Sequence, residues 1–224
     1  VPRIAYINKM DSVGASFDNA VDSMRRKLKA NPLPVQMPIG AEGDFRGAVD
    51  LVEMQALEFS GEMGAQVDRT EIPAEYLAPA KAAREHLVEA VAEIDEEILA
   101  PYLDGEEIGA DALRAALRRV TLAVKGIPVF CGTSLRNKGV QPLIDGVVDY
   151  LPAPSDLPPV VGKHPRTEED ESRSPSDDEP FAALVFKIAT DPYVGKLSYI
   201  RVYSGHIETG KTVLEAGPLW FWPA

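Results

Sequence analysis

The chain has 224 residues, enough for one large domain or two small ones, and its apolar fraction of 45% is ordinary for a globular protein. No apolar run approaches the length of about 18 residues that a membrane helix needs, and the net charge of −12 argues against a broad surface that coats nucleic acid. Cys131 is the single cysteine, so an intrachain disulfide is excluded and a reducing cytosol is expected.

An apolar run, Ile4–Ile7, opens the chain and leads directly into Asn8, Lys9, Met10 and Asp11. An apolar run that ends at a polar cluster is typical of a buried parallel strand whose carboxyl end faces a ligand crevice. Because the chain starts Val-Pro-Arg, inside this predicted strand and without a Met or a charged signal region, we expect part of a longer protein to precede it.

The pattern Asn-Lys-x-Asp has the chemistry to bind guanine. An ionised Asp11 carboxylate only accepts hydrogen bonds, so it can take both the N1–H and the exocyclic amino group of the base, a donor pair that adenine lacks. The stem of Lys9 can lie over the ring, and the amide of Asn8 can bridge the base to a neighbouring loop. Since the pattern is short, the alternative is a polar turn in which Asp11 or Ser12 caps a helix.

The next elements follow from apolar spacing. Four apolar residues at helical spacing predict a helix: Phe17, Val21, Met24 and Leu28. Asn31–Pro32 is expected to end this helix, and Pro34–Ile39 is expected to form a short strand. The alternating runs Ala48–Val52 and Gln55–Phe59 then predict a small meander.

Two helices are expected in the middle of the chain. The apolar face of the first comprises Leu77, Leu87, Val91, Ile94 and Ile98, and that of the second comprises Leu113, Leu117, Val120 and Val124. Between them, Tyr102–Gly105 is typical of a helix exit with a glycine cap. The acidic residues of the first helix are expected to form a solvated face and no metal site: Glu85, Glu89, Glu93, Asp95, Glu96 and Glu97. The three histidines lack ligand spacing, so no structural metal is expected.

Residues 127–151 return to the layout of a strand, a polar turn and a helix. Ile127–Cys131 is predicted to be a buried strand, and Gly132–Gly139 is the polar turn that follows it. The apolar face of the helix is expected at Val140, Leu143, Ile144, Val147, Val148 and Leu151. Because two strands of this kind end in polar turns, we expect both turns at the same edge of one parallel sheet.

The proline-rich and acidic residues 152–180 are predicted to be a linker, mobile around Glu168–Asp178, since such a composition buries little apolar surface. From Phe181 the chain is predicted to be β, with strands at Ala183–Ala189 and Leu197–Tyr203.

Gly205–Thr212 matches the phosphate-binding pattern G-x-x-x-x-G-K-T, which works when a helix follows it. Here the next residues are Val-Leu-Glu-Ala-Gly-Pro, too short and too broken for a helix. We therefore predict a hairpin turn between two strands, with a P-loop ATPase as the alternative.

Four segments together resemble one protein family. The guanine-recognition segment of bacterial elongation factor G, a family of translational GTPases, resembles the opening V-P-R-I-A-Y-I-N-K-M-D-S-V-G-A-S-F. The subdomain inserted in that family's GTPase domain begins similarly to P-I-G-A-E-x-x-F-x-G-x-V-D-L, and its second base-contacting loop resembles G-T-S-L-R-N-K-G-V-Q. The start of its β-barrel resembles E-P-F-x-A-L-x-F-K-I-x-x-D-P-Y-V-G. The end, Gly217–Ala224 with its Trp220-Phe221-Trp222, departs from the family.

The resemblance implies an α/β fold: the second half of a P-loop-type GTPase domain with an inserted α+β subdomain, followed by the first strands of a β-barrel domain. The expected boundaries are 1–155 for the GTPase part with its insertion at about 40–125, 156–180 for the acidic linker and 181–224 for the incomplete barrel. The family's P-loop, switch regions, Mg²⁺ ligands and catalytic histidine are expected upstream of Val1. No catalytic or metal-binding residue is therefore assigned within the chain.

The residues implied to bind GTP or GDP are Asn8, Lys9, Met10 as a spacer, Asp11, Thr133, Ser134 and Leu135. Near Thr133–Leu135, a backbone N–H is expected to meet the guanine O6. The resemblance implies a monomeric elongation factor that is located in the cytoplasm and does not bind a membrane. Its partners would be ribosomal RNA and ribosomal proteins. It would catalyse GTP-dependent translocation of tRNA and mRNA on the ribosome. Mg²⁺ would be bound by other parts of the longer protein, and residues 1–224 alone are expected not to hydrolyse GTP. A ribosomal-protection or release-factor GTPase and an acidic interaction module without nucleotide are the alternatives.

Overall fold

The computed structural model describes residues 1–164 and 167–213 of the chain. Contacts within it define two units, Val1–Leu151 and the chain from Pro152 onward. None of the helices in these described ranges is long and apolar enough to cross a membrane. The predicted departure from the family at Gly217–Ala224 lies outside the described residues.

The first unit is mixed α/β and contains two sheets. Its strands are β1 (Ala5–Ile7), β2 (Pro32–Pro34), β3 (Gln36–Ile39), β4 (Gly47–Asp50), β5 (Gln55–Ser60), β6 (Gln66–Thr70) and β7 (Ile127–Cys131). Its helices are α1 (Phe17–Leu28), α2 (Ala74–Ala92), α3 (Glu96–Leu103), α4 (Ala110–Leu122) and α5 (Val140–Tyr150). A parallel sheet has the order β1-β7-β2, and an antiparallel meander has the order β3-β4-β5-β6.

Strand β7 is the centre of the parallel sheet and has the predicted bounds. Ile7 of β1 lies opposite Cys131, and Pro34 of β2 lies opposite Val129. Val129 and Cys131 are fully buried. Strand β1 is half-buried, which corrects the expectation of a buried strand, because β1 lies at one edge of this three-stranded sheet.

Helix α1 joins β1 to β2 and begins later than the helix-cap alternative requires. Ser16 is its N-cap, and the Ser16 side chain accepts the Asn19 N–H at 3.2 Å. The interpretation in which Asp11 or Ser12 caps this helix is therefore wrong. Phe17 and Val21 are buried, whereas Leu28 is exposed because the helix ends there at a left-handed Lys29.

The predicted strand Pro34–Ile39 is two strands in two sheets. β2 ends at Pro34 and β3 begins at Gln36, and between them the Val35 N–H donates to the Val129 carbonyl at 3.1 Å. The chain thus passes from the parallel sheet into the meander within one residue. This switch places the β3–β4 turn beside the carboxyl edge of the parallel sheet, since the Glu42 N–H in that turn donates to the Met10 carbonyl.

Three helices form where two were predicted, because the first predicted helix is interrupted: α2 ends at Ala92, and α3 starts after Asp95. Asp95 is the N-cap of α3 and accepts the Ile98 N–H, and its Oδ2 lies 2.8 Å from Arg119 Nε. It is 7% exposed, so its assignment to the solvated acidic face is wrong. The Arg119 guanidinium lowers the pKa of Asp95, which keeps the buried carboxylate ionised and paired.

Two predicted apolar faces differ from those found. On α4, Leu113, Leu117 and Val120 are buried, but Val124 follows the helix at φ 60° and is 45% exposed. On α5 the buried residues are Pro142, Gly146 and Tyr150, whereas Ile144, Val147 and Val148 are exposed. Gly146 lies on the inner face of α5 against the ring of Phe130, where a Cβ would come within 2.3 Å of Cζ.

The described residues of the second unit form two hairpins. Its strands are β8 (Val160–Lys163), β9 (Asp170–Arg173), β10 (Ala182–Asp191) and β11 (Gly195–Ser204). β8 pairs with β9 inside the predicted linker, and the mobility expected around Glu168–Asp178 stays a prediction. The pairing needs little buried apolar surface, because backbone pairing joins the strands while Val160 and Val161 of β8 stay exposed. That β10 and β11 begin a barrel stays a prediction.

The P-loop-like segment follows β11 and does not lead into a helix within the described residues, which end at Val213. Gly205 and Gly210 adopt φ of 65° and 84°, the left-handed backbone expected of glycines in a turn. The returning strand of the predicted hairpin is not found at Lys211–Val213. A phosphate site of this kind needs a helix N-terminus aimed at the loop, and the residues described up to Val213 contain none there.

Candidate functional site

The two polar segments leave neighbouring strands at the same edge of the parallel sheet. Ile7 lies opposite Cys131 in parallel strands, so Asn8 and Gly132 follow side by side. Beyond the strands, the Gly132 N–H donates to the Ile7 carbonyl and the Met10 N–H donates to the Gly132 carbonyl, both at 3.0 Å. The carboxyl edge therefore presents the first loop (Asn8–Asp11) and the second loop (Thr133–Lys138) together.

Asn8 ties the two loops to each other. Its Oδ1 accepts the Ser134 N–H at 2.9 Å and the Lys9 N–H at 2.8 Å, which an amide oxygen with two lone pairs can do. Lys9 adopts a left-handed backbone with φ 62°, and its carbonyl accepts the Ser12 N–H at 3.0 Å. The amide of Asn8 thus bridges the loops themselves and fixes the distance between them.

Met10 anchors the first loop in the core. It is 1% exposed and belongs to a cluster with Phe17 and Val21 of α1 and with Val129 and Cys131 of β7. The spacer position of the pattern is therefore the one whose side chain points into the protein. The side chains of its neighbours Asn8 and Lys9 are exposed to solvent.

Asp11 contacts a residue of the second loop that the sequence analysis did not single out. Its Oδ2 lies 3.2 Å from Nε of Arg136, with the two side chains 17% and 62% exposed. An ion pair with such an exposed partner contributes at most about 1 kcal/mol. Its effect is therefore geometric: it directs one carboxylate oxygen towards the second loop. A cation in the loop was visible in the sequence, but spacing alone does not identify a partner 125 positions away.

The second loop is closed by bonds between its own ends. The Thr133 N–H donates to the Lys138 carbonyl at 2.9 Å, and the Lys138 N–H donates back to Thr133 at 3.1 Å. Tyr6 on β1 adds a third bond, its hydroxyl donating to the Lys138 carbonyl at 2.9 Å. Burial raises the pKa of Tyr6 to about 12, so the hydroxyl keeps its proton and its donor role at neutral pH.

Within this closed loop, the predicted contact residues differ in accessibility. Thr133 is buried, whereas Leu135 is 85% exposed and Ser134 is exposed beside it. A ligand at the carboxyl edge would therefore meet Ser134 and Leu135, while Thr133 holds the base of the loop. Because the Ser134 N–H already donates to Asn8, Leu135 is the next residue whose backbone N–H can reach a ligand acceptor.

Two buried groups support the site from below. The Cys131 N–H donates to Oε1 of Gln36 at 3.1 Å, and Gln36 is 2% exposed. Burial raises the pKa of the Cys131 thiol to about 12, so it stays neutral and is not a nucleophile. Gln36 was not identified from the sequence, because a polar residue in a short strand has no pattern that predicts its burial.

The described residues contain no group of three or more His, Cys, Asp or Glu side chains that could hold a metal ion. The carboxyl edge gathers the Asp11 carboxylate, the Lys9 side chain and the backbone of the second loop.

Comparison with known proteins identifies the family. The profile of the elongation factor Tu GTP-binding domain matches residues 1–153, about two thirds of the 224 residues. A crystal structure of ttk003000868 from Thermus thermophilus matches with a TM-score of 0.72 and 26% identity, over 94% of this chain and 28% of that chain. This chain thus spans little more than a quarter of the length of that relative. By the match over residues 1–153, the chain belongs to the family of the elongation factor Tu GTP-binding domain, that of the translational GTPases.

Proposed function

We propose that the chain supplies the guanine-recognition part of the nucleotide site in a longer translational GTPase. The observation that carries this proposal is the bond from the Ser134 N–H to Asn8 Oδ1 at 2.9 Å, which joins the two loops at the carboxyl edge. Asp11 lies in the same place, with one carboxylate oxygen held by Arg136. The family match supports guanine as the base.

The proposed contacts follow from the chemistry of the base. The Asp11 carboxylate accepts from the N1–H and the exocyclic amino group of guanine, as charge-assisted bonds. The backbone N–H of Leu135 donates to O6, since the Ser134 N–H is taken by Asn8. The stem of Lys9, exposed beside Asp11, covers one face of the ring.

The phosphates, Mg²⁺ and the hydrolytic water are proposed to be bound by other parts of the longer protein. The 28% coverage of the Thermus thermophilus relative is consistent with this division. GTP supplies the reacting phosphate, and this chain binds and orients its base. No hydrolysis by residues 1–224 in isolation is expected.

The biological role proposed is that of elongation factor G: GTP-dependent translocation of tRNA and mRNA on the ribosome, by a monomeric cytoplasmic protein. The domain boundaries proposed remain 1–155, 156–180 and 181–224. The segment P-I-G-A-E-x-x-F-x-G-x-V-D-L at the start of the β3–β6 sheet supports the elongation factor G assignment by resemblance. A ribosomal-protection or release-factor GTPase would use the same two loops.

Competition between bases tests the proposed site in the full-length protein. Guanosine, inosine and adenosine diphosphates are titrated against a labelled guanine nucleotide. Inosine lacks the exocyclic amino group and loses one charge-assisted bond, so we expect it to bind about 10- to 100-fold more weakly than guanosine diphosphate. Adenosine diphosphate, which lacks both donors, is expected to compete least. Equal competition by all three nucleotides would contradict recognition of the base, and no competition by any of them would favour an acidic interaction module without nucleotide.

A further inference from the structure

The β3–β4 turn contacts both base loops. The 42–45 turn (Glu42–Phe45) is a short 3₁₀ turn between β3 and β4 that ends at Phe45. The Glu42 N–H donates to the Met10 carbonyl at 2.9 Å, and Glu42 Oε1 accepts the Gly14 N–H at 2.8 Å. On the other loop, Nζ of Lys138 donates to the Phe45 carbonyl at 3.3 Å.

Glu42 is held in a backbone conformation that a glutamate rarely adopts. Its φ is 54°, in the left-handed region, where a side chain is disfavoured and glycine is not. Gly40 forces the turn to be tight, because a Cβ at that position would lie 2.1 Å from the Asp44 carbonyl oxygen. Strain of this kind persists where the surrounding contacts determine the conformation. Here those contacts are the two bonds from Glu42 to the chain on either side of Asp11.

We infer that Glu42 is a positioning residue for the guanine site. By bonding to Met10 and Gly14, it holds both ends of the turn that carries Asp11, and so fixes where the carboxylate meets the base. Phe45 supports this arrangement from the core, since it is 3% exposed and packs in the cluster that contains Met10. Glu42 touches no base atom itself, so its effect is on the placement of Asp11. This inference rests on the proposed guanine site.

The side chain and the backbone strain of Glu42 can be separated by three substitutions in the full-length protein. Glu42→Ala removes the carboxylate, Glu42→Gln keeps an acceptor oxygen, and Glu42→Gly removes the carboxylate while relieving the left-handed backbone. Glu168→Ala is the matched control, because Glu168 is also a glutamate at positive φ, 60°, but lies in the other unit. Affinity for guanosine and xanthosine diphosphates and hydrogen exchange of the Gly14 amide are measured for each variant.

We expect Glu42→Ala and Glu42→Gly to weaken guanosine diphosphate by about three- to tenfold and xanthosine diphosphate by less, because the Asp11 carboxylate that accepts from the guanine amino group is no longer held in place. Their Gly14 amide should exchange faster. Glu42→Gln should bind within about twofold of the unaltered protein, since the bond can still form. Glu168→Ala should change neither affinity. The preference for guanosine over xanthosine diphosphate should therefore fall in Glu42→Ala and Glu42→Gly and stay constant in Glu42→Gln and Glu168→Ala.

Two results would overturn the inference, and they are distinguishable from failure of the proposed function. If the unaltered protein prefers guanosine to adenosine diphosphate, but Glu42→Ala binds with unchanged affinity while its Gly14 amide exchanges faster, Glu42 does not position the site. The same conclusion follows if Glu42→Gln binds as poorly as Glu42→Ala. If the unaltered protein shows no base preference, the proposed function fails and the role of Glu42 fails with it.

Discussion

Asp11→Asn is expected to weaken guanosine diphosphate binding by about 100-fold or more and to turn the preference towards xanthosine diphosphate. Nε of Arg136 forms an ion pair with one oxygen of the Asp11 carboxylate, at 3.2 Å. An asparagine in its place would keep its oxygen at Arg136 and turn its amide nitrogen towards the base. That nitrogen would face the amino group of guanine donor to donor, whereas xanthine offers a carbonyl at the same position.

The measurement is competition of the two diphosphates against a labelled guanine nucleotide in the full-length protein. Asp18→Asn is the control, because it removes the same charge from an exposed position in the first turn of the neighbouring helix α1. It should leave the ratio of the two affinities unchanged. If Asp11→Asn also leaves that ratio unchanged, Asp11 does not recognise the base, and the first loop is only a polar turn.

Gly132→Ala is expected to destabilise the first unit by about 3 kcal/mol, through overpacking and the loss of hydrogen bonds in the second loop. A Cβ at Gly132 would lie 2.2 Å from the Lys138 carbonyl oxygen and 2.3 Å from the Tyr6 hydroxyl. The Lys138 carbonyl is the acceptor for both Tyr6 and Thr133, so relieving the contact breaks the bonds that close the loop.

Denaturant unfolding measures the free energy of unfolding of the Gly132→Ala protein. Nucleotide competition measures its affinity for guanosine diphosphate, which depends on the second loop. Gly43→Ala is a suitable control, because a Cβ there meets nothing within 4 Å and its φ is not positive. It should change the free energy of unfolding by less than about 0.5 kcal/mol. A Gly132→Ala protein with unchanged stability and unchanged guanosine diphosphate affinity would show that the second loop is not held as described.

The strand β7 and the position of the two polar turns could be predicted from the sequence, because both depend on local patterns. Ile127–Cys131 is a strand with the expected bounds, and both polar turns lie at one edge of one sheet. An apolar run followed by polar residues contains that information within a dozen positions. The role of Asn8, Lys9, Asp11 and the Thr133–Leu135 segment in base recognition stays a prediction, supported by this geometry.

The parts that could not be predicted depend on partners distant in the chain. Asp95 was assigned to a solvated face because its neighbours are acidic, but its burial depends on Arg119 in another helix. Arg136 and Glu42 belong to turns whose composition is ordinary, and their contacts with Asp11 and Gly14 cross between separate elements. Spacing along one helix or strand carries no information about such pairs.

Two further differences arise where one local signal overrides another. The Pro34–Ile39 run is predominantly apolar, yet Val35 divides it between two sheets because its N–H pairs with Val129. The β8–β9 hairpin forms in an acidic, proline-rich stretch because backbone pairing can succeed with few buried side chains. Composition predicts how much apolar surface a segment buries, but it does not exclude strand pairing.

Titration of residues 1–224 with guanosine and adenosine monophosphates, followed by amide chemical shifts, tests whether the two loops form a guanine site. The base alone offers about two charge-assisted bonds of roughly 1.5–3 kcal/mol each, against an association cost of at least about 4 kcal/mol, so the dissociation constant is expected to be about 1 mM or weaker. We expect guanosine monophosphate at about 10 mM to shift the amides of Asp11, Ser134 and Leu135, and adenosine monophosphate to leave them unchanged. Equal shifts with both nucleotides, or shifts centred on Gly205–Thr212, would contradict guanine recognition by these loops.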